Sequence, residues 1–406
     1  MALTVETKLE IKELELKSLF ETIRAINSNS SERDLFKIYK FIIRSNPNIN
    51  KLALYVLDEE WNCKTYFGTE NDYSNIPLDE KLLEITGIGE YTKGVEFFEE
   101  FQKVIPIKHK QTVLAYAFLS GSENVEDEDI LELDFIDALS NIILVAVENK
   151  KLARKEQKQQ EYKKQLDIAK DVQSLLFPKE LPYNDDLKIM ASYLPHHTIG
   201  GDYYDYIPIN ENKFLICIAD VSGKGVPAAI LMSNFQAALR ILTRRTDDLK
   251  IIVGELNQLV MQNSYGENFI TAFFALYDKE SRKFNFINAG HNPPFLFMNN
   301  KVNVLNEGTT ILGGFKDLPF LNMGSFEELS NFLIFCFTDG FIETYDENGE
   351  EFGEEYLMKF LQENLGLDQK DIHSKLISLL NTFKGKNAYV DDITLLSCKV
   401  SSSKNN

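Results

Sequence analysis

Residues Phe214–Leu242 read FLICIADVSGKGVPAAILMSNFQAALRIL. The run FLICIA is short, apolar and closed by a glycine-containing turn, which is the pattern of a buried strand, and Asp220 stands at its end. Ser222, Gly223 and Gly225 supply the turn. Val226–Leu242 then carries Ala228, Ala229, Leu231, Met232, Phe235, Ala238 and Leu239 almost all round, so this helix should be packed between layers. The arrangement recurs downstream. FLIFCFT runs into Asp339, and Asp391 and Asp392 stand just ahead of the apolar run ITLL. A further acidic motif, GGDYYD at Gly200–Asp205, precedes them all. A single Asp next to Gly is ordinarily a turn former. Several carboxylates held at rigid strand ends can instead converge on a hard cation, which wants oxygen ligands in fixed geometry. Metal-dependent chemistry is the expectation.

Outward from this stretch the C-terminal half is dominated by strands: KIMASYLP, FITAFFALYD, KFNFINAG, FLFM and ITLLSCKV. Helices are expected at Asp247–Met261 and over a block at Glu355–Phe383. Repeated strands with few βαβ alternations point to antiparallel sheets covered by helices, an α+β class.

Upstream, Ala146–Leu176 contains neither Pro nor Gly and is rich in Lys, Glu and Gln. Leu152, Tyr162, Leu166, Ala169, Val172 and Leu176 recur mostly at threes and fours, with Gln159 and Gln173 in further seam positions. That spacing predicts a helical linker, residues 146–178, able to pair with a second copy as a parallel coiled coil; Pro178 and Pro182 end it. Before it, helices are expected at Thr7–Asn29 and, capped by Ser31, to about Ser45. A strand is expected at Leu52–Asp58, and KVIPIKHK with TVLAYAFLS reads as a hairpin turning near Lys110. The acidic stretch Glu123–Asp129 leads into the helix ELDFIDALSNIILVAVENKKLA. In size and element order residues 1–145 resemble a GAF-like sensory domain.

Composition narrows the class. A chain of 406 residues is long for one core, and its 29 Phe and 17 Tyr supply two. A net charge of −19 argues against nucleic acid, whose phosphates it would repel. The first twenty residues lack a signal-peptide core and no apolar run reaches transmembrane length, so a cytoplasmic location is expected. Four Cys without a CxxC pair make neither a disulfide framework nor a zinc site.

GGDYYD, DVSGKG, NAGHNPP, TDGFIET and DDIT occur in the order seen in metal-dependent protein phosphatases, and the chain resembles the PPM (PP2C) superfamily over Ile168–Val400. The likeness is to the bacterial SpoIIE/RsbU branch, and IAKDVQSLLFPKELP resembles the helix leading into that domain. The resemblance implies an α-β-β-α sandwich of two antiparallel sheets over residues 179–400 and two or more Mn²⁺ or Mg²⁺ ions. It makes Asp220 the ligand shared by two cations, joined by the carbonyl of Val221. Asp339 and Asp391 would be further ligands on one cation, with Asp202 touching the cluster directly or through water. Asp205, His291 and Asp392 are read as outer neighbours, His291 bracing a turn.

The resemblance further implies hydrolysis of phosphoserine or phosphothreonine by a metal-activated water, with a phosphorylated STAS-type anti-sigma-factor antagonist as substrate. Two other readings stay open: a non-catalytic scaffold on a phosphatase fold, and a phosphatase for small phosphoesters. No Arg is evident in the first motif to clamp phosphate, since Arg240, Arg244 and Arg245 lie late in the apolar helix or beyond it.

Overall fold

The computed structural model describes residues 5–90, 94–109, 112–121, 133–264, 266–299 and 301–401. The expected turn at Lys110 and the acidic stretch Glu123–Asp129 lie outside them. The chain divides into two compact units, residues 1–160 and 161–406.

In the first unit a five-stranded antiparallel sheet has the order β2 (Trp61–Phe67), β1 (Ile49–Leu57), β5 (Thr112–Gly121), β4 (Lys103–His109), β3 (Gly89–Glu90). β4 and β5 are the expected hairpin; β2 had not been read from the sequence. After α1 (Val5–Asn27), one face packs on α2 (Glu32–Arg44) and the start of α3 (Leu133–Ser174) through Leu35, Tyr39, Ile43, Ile136 and Leu139. Ser31 caps α2 by accepting from Asp34 N, as its position predicts. The other face carries an aromatic cluster of Tyr55, Tyr73, Phe98, Phe101 and Phe118. Among the described residues no helix is long and apolar enough to cross a membrane.

The second unit stacks two sheets. The first has the order β13 (Gly308–Thr309), β10 (Lys283–Ala289), β9 (Ile270–Asp278), β8 (Lys213–Val221), β7 (Tyr203–Pro208), with β14 (Gly324–Phe326) also on β10. The second is β12 (Lys301–Val304), β11 (Phe295–Met298), β15 (Phe332–Phe337), β16 (Ile393–Val400), β6 (Leu187–Leu194). Ile216, Ile218, Phe273, Phe284, Ile334 and Leu396 fill the space between them. Each such buried side chain contributes about 1.5–3 kcal/mol, and alternation along the strands sends their neighbours outward to the helices.

Leu215, Cys217 and Ala219 of β8 therefore meet α4 (Val226–Leu242) and α5 (Leu249–Ser264). Beyond the single-turn α6 (Asp339–Ile342), Phe335, Phe337 and Leu395 meet α7 (Glu354–Asn364) and α8 (Gln369–Lys384). The result is the four-layer α-β-β-α sandwich. Its α8 is pinned by a buried polar chain in which His373 bridges Ser192 Oγ and Ser397 Oγ, both at 2.9 Å.

Three stretches gain detail from the structure. The helical block Glu355–Phe383 is two helices, because Gly366 interrupts it and Asp368 caps the second by accepting from Lys370 N. GGDYYD runs directly into a strand, Tyr203–Asp205 belonging to β7. The linker stripe does not present one uniform face. Gln173 is buried and Leu176 packs on the core beneath α4, whereas Leu152, Tyr162, Ile168, Val172 and Leu175 are exposed. The 3.5-residue spacing alone cannot say which neighbour covers a stripe.

Candidate functional site

The strands end where the acidic motifs begin, so sandwich geometry gathers them at one end. Asp220 occupies the penultimate position of β8, opposite Thr271 of β9. Asp202 immediately precedes β7, is 1% exposed, and faces Asp220 closely enough to hydrogen-bond when one of them is protonated. The second sheet reaches across to it: Thr338 Oγ1 donates to Asp202 Oδ2 at 2.9 Å and Thr394 Oγ1 at 2.6 Å. These hydroxyls satisfy hydrogen-bonding capacity but bring no charge.

Consequently the carboxylates bear one another's field. Burial first, then Asp220, holds the Asp202 carboxyl well above the usual carboxylate range. Burial and then Asp339 push Asp220 up to about 7. Asp339 is raised by burial and then by Asp391. Such a group of raised, mutually opposed carboxyls is stabilised by positive charge.

Asp392 plays another part. Its Oδ1 accepts from His196 N and its Oδ2 from Gly201 N, both at 2.7 Å, so it fixes the loop that carries Asp202. Gly200 and Gly340 are required for this packing. A Cβ on Gly200 would come 2.2 Å from Asp392 Oδ2, and one on Gly340 2.2 Å from Asp392 O. Gly200 thus leaves room for the Asp392 and Tyr193 side chains, and Gly340 for the backbone of Asp392. Gly201 approaches the carbonyl of Val221 in the same way, its Cβ position lying 2.9 Å from that oxygen.

Asp391 lies at the open rim, 2.8 Å from Lys224 Nζ, and its Oδ1 accepts from Asp392 N at 2.8 Å. Asp205 is set apart. It is fully buried, and Arg240 engages it with two donors, Nε to Oδ2 at 2.8 Å and Nη2 to Oδ1 at 3.0 Å. Tyr203 OH also donates to it. Arg240 is therefore committed to a structural ion pair. His291 is buried, its Nδ1 3.0 Å from Thr271 Oγ1 and its backbone N–H donating to Asn288 Oδ1 at 2.8 Å. Burial lowers its imidazole to about 4, which suits a neutral brace.

Sequence reading missed four contributors: Thr338, Thr394, Lys224 and Gln173. The first three stood inside motifs already singled out, where attention fell on Asp. Gln173 donates from Nε2 to Gly200 O at 2.8 Å, and Gln236 Nε2 donates to Leu176 O at 3.1 Å, so the end of α3 is fastened to the GGD loop.

Among the described residues no three acidic, Cys or His side chains are already drawn into a ligand cage. The donors fit a hard divalent cation: all are oxygens, several are buried, and among the described residues only Asp391 of this group has a side-chain cation in salt-bridge contact.

Comparison with known proteins agrees with this geometry. A family model described as stage II sporulation protein E (SpoIIE) matches residues 210–401. The chain is 31% identical over 230 residues to phosphoserine phosphatase RsbU of Bacillus subtilis, covering 54% of this chain and 67% of that protein. It belongs to the SpoIIE/RsbU family of PP2C phosphatases.

Other known proteins match more distantly. Phosphoserine phosphatase RsbP of Bacillus subtilis is 25% identical over 237 residues, 57% of this chain and 56% of RsbP. Protein IcfG of Synechocystis is 24% identical over 343 residues, 78% of this chain and 54% of IcfG. The chain thus spans about two thirds of RsbU and little more than half of the other two. The SiaA PP2C domain of Pseudomonas aeruginosa shares the fold, with a TM-score of 0.54 at 22% identity over 60% of this chain and 98% of that domain. The family match contains Asp220, Val221, His291, Asp339, Asp391 and Asp392, and begins after Asp202 and Asp205.

Proposed function

We propose that this chain is a metal-dependent phosphoserine/phosphothreonine protein phosphatase, with residues 179–400 as catalytic domain, 146–178 as helical linker and 1–145 as a GAF-like regulator. The observation that carries it is the buried Asp202–Asp220 pair with Asp339 beside it, raised by burial and mutual repulsion at the end of a PP2C-type sandwich. Asp220 and the Val221 carbonyl would hold two Mn²⁺ or Mg²⁺ ions, Asp339 and Asp391 would complete one of them, and Asp202 would bind directly or through water. When bound, the cations supply Lewis-acid activation of water and charge stabilisation at phosphorus.

The chain's own residues prepare the site. Thr338 and Thr394 hold Asp202 in one orientation, Asp392 fixes the Gly200–Gly201 loop, and His291 braces Thr271 behind Asp220. A STAS-type phosphoprotein is the proposed substrate, on the strength of kinship to RsbU and RsbP, both named phosphoserine phosphatases.

Full-length protein should release phosphate from a phosphorylated STAS protein only with Mn²⁺ or Mg²⁺, and faster than from small phosphoesters. Asp220→Asn and Asp339→Asn should each lose activity by more than about a hundredfold, beyond what outer-shell changes cost at metal sites, with unchanged circular dichroism. Metal-independent turnover, or full activity in both variants, would refute the assignment.

The exposed apolar residues Leu152, Tyr162, Ile168, Val172 and Leu175 support homodimerisation through residues 146–176. Sedimentation should give a dimer for the full chain and a monomer for a chain starting at Leu181; equal behaviour of the two would exclude that seam.

A further inference from the structure

The turn between β8 and α4 brings a cation to the acidic end of the sandwich. Lys224 Nζ donates to Val390 O at 2.7 Å and lies 2.8 Å from Asp391 Oδ2. The two side chains are 45% and 39% exposed, so the pair stands at the mouth of the site and not beneath it. Gly223 and Gly225 flank the lysine, both at positive φ (89° and 74°), and the Cβ position of Gly225 has no neighbour within 4 Å. At 45% exposure the lysine side chain faces solvent, where rotation can redirect its ammonium.

An apolar rim surrounds it. Val226 and Ile230 lie one turn apart on α4, and Val390 adjoins Asp391. Phe269 is joined to Ser222 by bonds of 2.8 and 2.9 Å. All four are exposed. Arg240, in the last turn of α4, is already bound to Asp205.

We propose that Lys224 is an exchangeable cation, holding Asp391 until a divalent ion takes that carboxylate and then binding the phosphoryl oxygens of the substrate. The inference rests on Asp391 as a metal ligand. One carboxylate cannot serve an ammonium and a divalent cation equally. The singly charged, half-exposed and strongly hydrated ammonium forms the weaker pair and yields. A phosphomonoester dianion then offers it acceptor oxygens, and lysine binds phosphate as a point charge. This supplies the phosphate contact for which the sequence showed no arginine.

The proposal predicts effects of opposite sign. Lys224→Met keeps the stem and removes the charge; Lys224→Arg keeps a cation; Lys224→Gln is the polar alternative should Met disturb folding. Calorimetric titration of the full-length protein with Mn²⁺ alone should show Lys224→Met binding about 2–5-fold tighter than wild type, the scale of an exposed ion pair released. At saturating Mn²⁺, with p-nitrophenyl phosphate as substrate, its KM and the Ki of inorganic phosphate should rise about tenfold with a smaller change in kcat, and recover in Lys224→Arg.

A lysine that merely staples residues 390–391 would give equal or weaker Mn²⁺ binding in Lys224→Met, and that result overturns the proposal. An unchanged phosphate Ki overturns it as well. Wild-type protein that takes up no Mn²⁺ removes the metal reading itself, and the proposal with it, so the two failures are distinguishable.

Discussion

Asp202 and Asp205 stand three positions apart in one motif, are equally buried, and live in opposite electrostatic surroundings. Asp205 points to the helical face, where Arg240 and Tyr203 neutralise and saturate it. Asp202 stands at the sandwich end, where two threonine hydroxyls hold it and Asp220 repels it. A buried charge is tolerated when paired and costly when opposed. The difference separates a carboxylate that holds the fold together from one that we assign to a cation.

The contrast can be broken experimentally. The largest effect should come at Asp202: Asp202→Asn should cut metal-dependent hydrolysis by more than about a hundredfold while leaving metal-free stability equal or higher, because it removes a repelling charge. Asp205→Asn should do the reverse in stability. Breaking a fully buried pair costs about 3–5 kcal/mol, but the Arg240 side chain is 38% exposed and can regain water. A loss of about 2–3 kcal/mol in urea unfolding is therefore expected. Arg240→Met leaves the fully buried Asp205 carboxylate without its cation and should lose more, about 3–5 kcal/mol, and the double variant less than the sum. Equal stability losses at Asp202 and Asp205 would abolish the distinction.

A smaller effect sharpens it, since neutral buried groups also carry a pH signature. Burial lowers His373 from 6.5 to about 4, so the unfolded chain binds the proton more readily. The contribution of His373 is fully present above about pH 6.5 and is lost as pH falls through 4. The stability advantage of wild type over His373→Gln should shrink by about 2 kcal/mol between pH 7 and pH 5. Parallel stability curves for the two proteins would show that His373 is not held neutral.

Much of this was legible in the chain. The apolar runs before Asp220 and Asp339 place those carboxylates at strand ends because a strand buried on both faces has one composition wherever it lies. Glycine turns and the all-round apolar character of Val226–Leu242 gave the layered class for the same local reason. The linker showed its periodicity but not its partner: Gln173 reads as a polar seam position, yet it bonds to Gly200 within the same unit.

What only the tertiary structure decided is which charges meet. Thr338 and Thr394 reach Asp202 across 136 and 192 residues of sequence, and Arg240 reaches Asp205 across 35. No periodicity encodes such distances, because they follow from how the two sheets stack and how α4 lies on the first. Sequence determined that carboxylates would stand at the ends of rigid strands. The packing of those strands determined which carboxylate received an arginine, which a lysine at the rim, and which only its own kind.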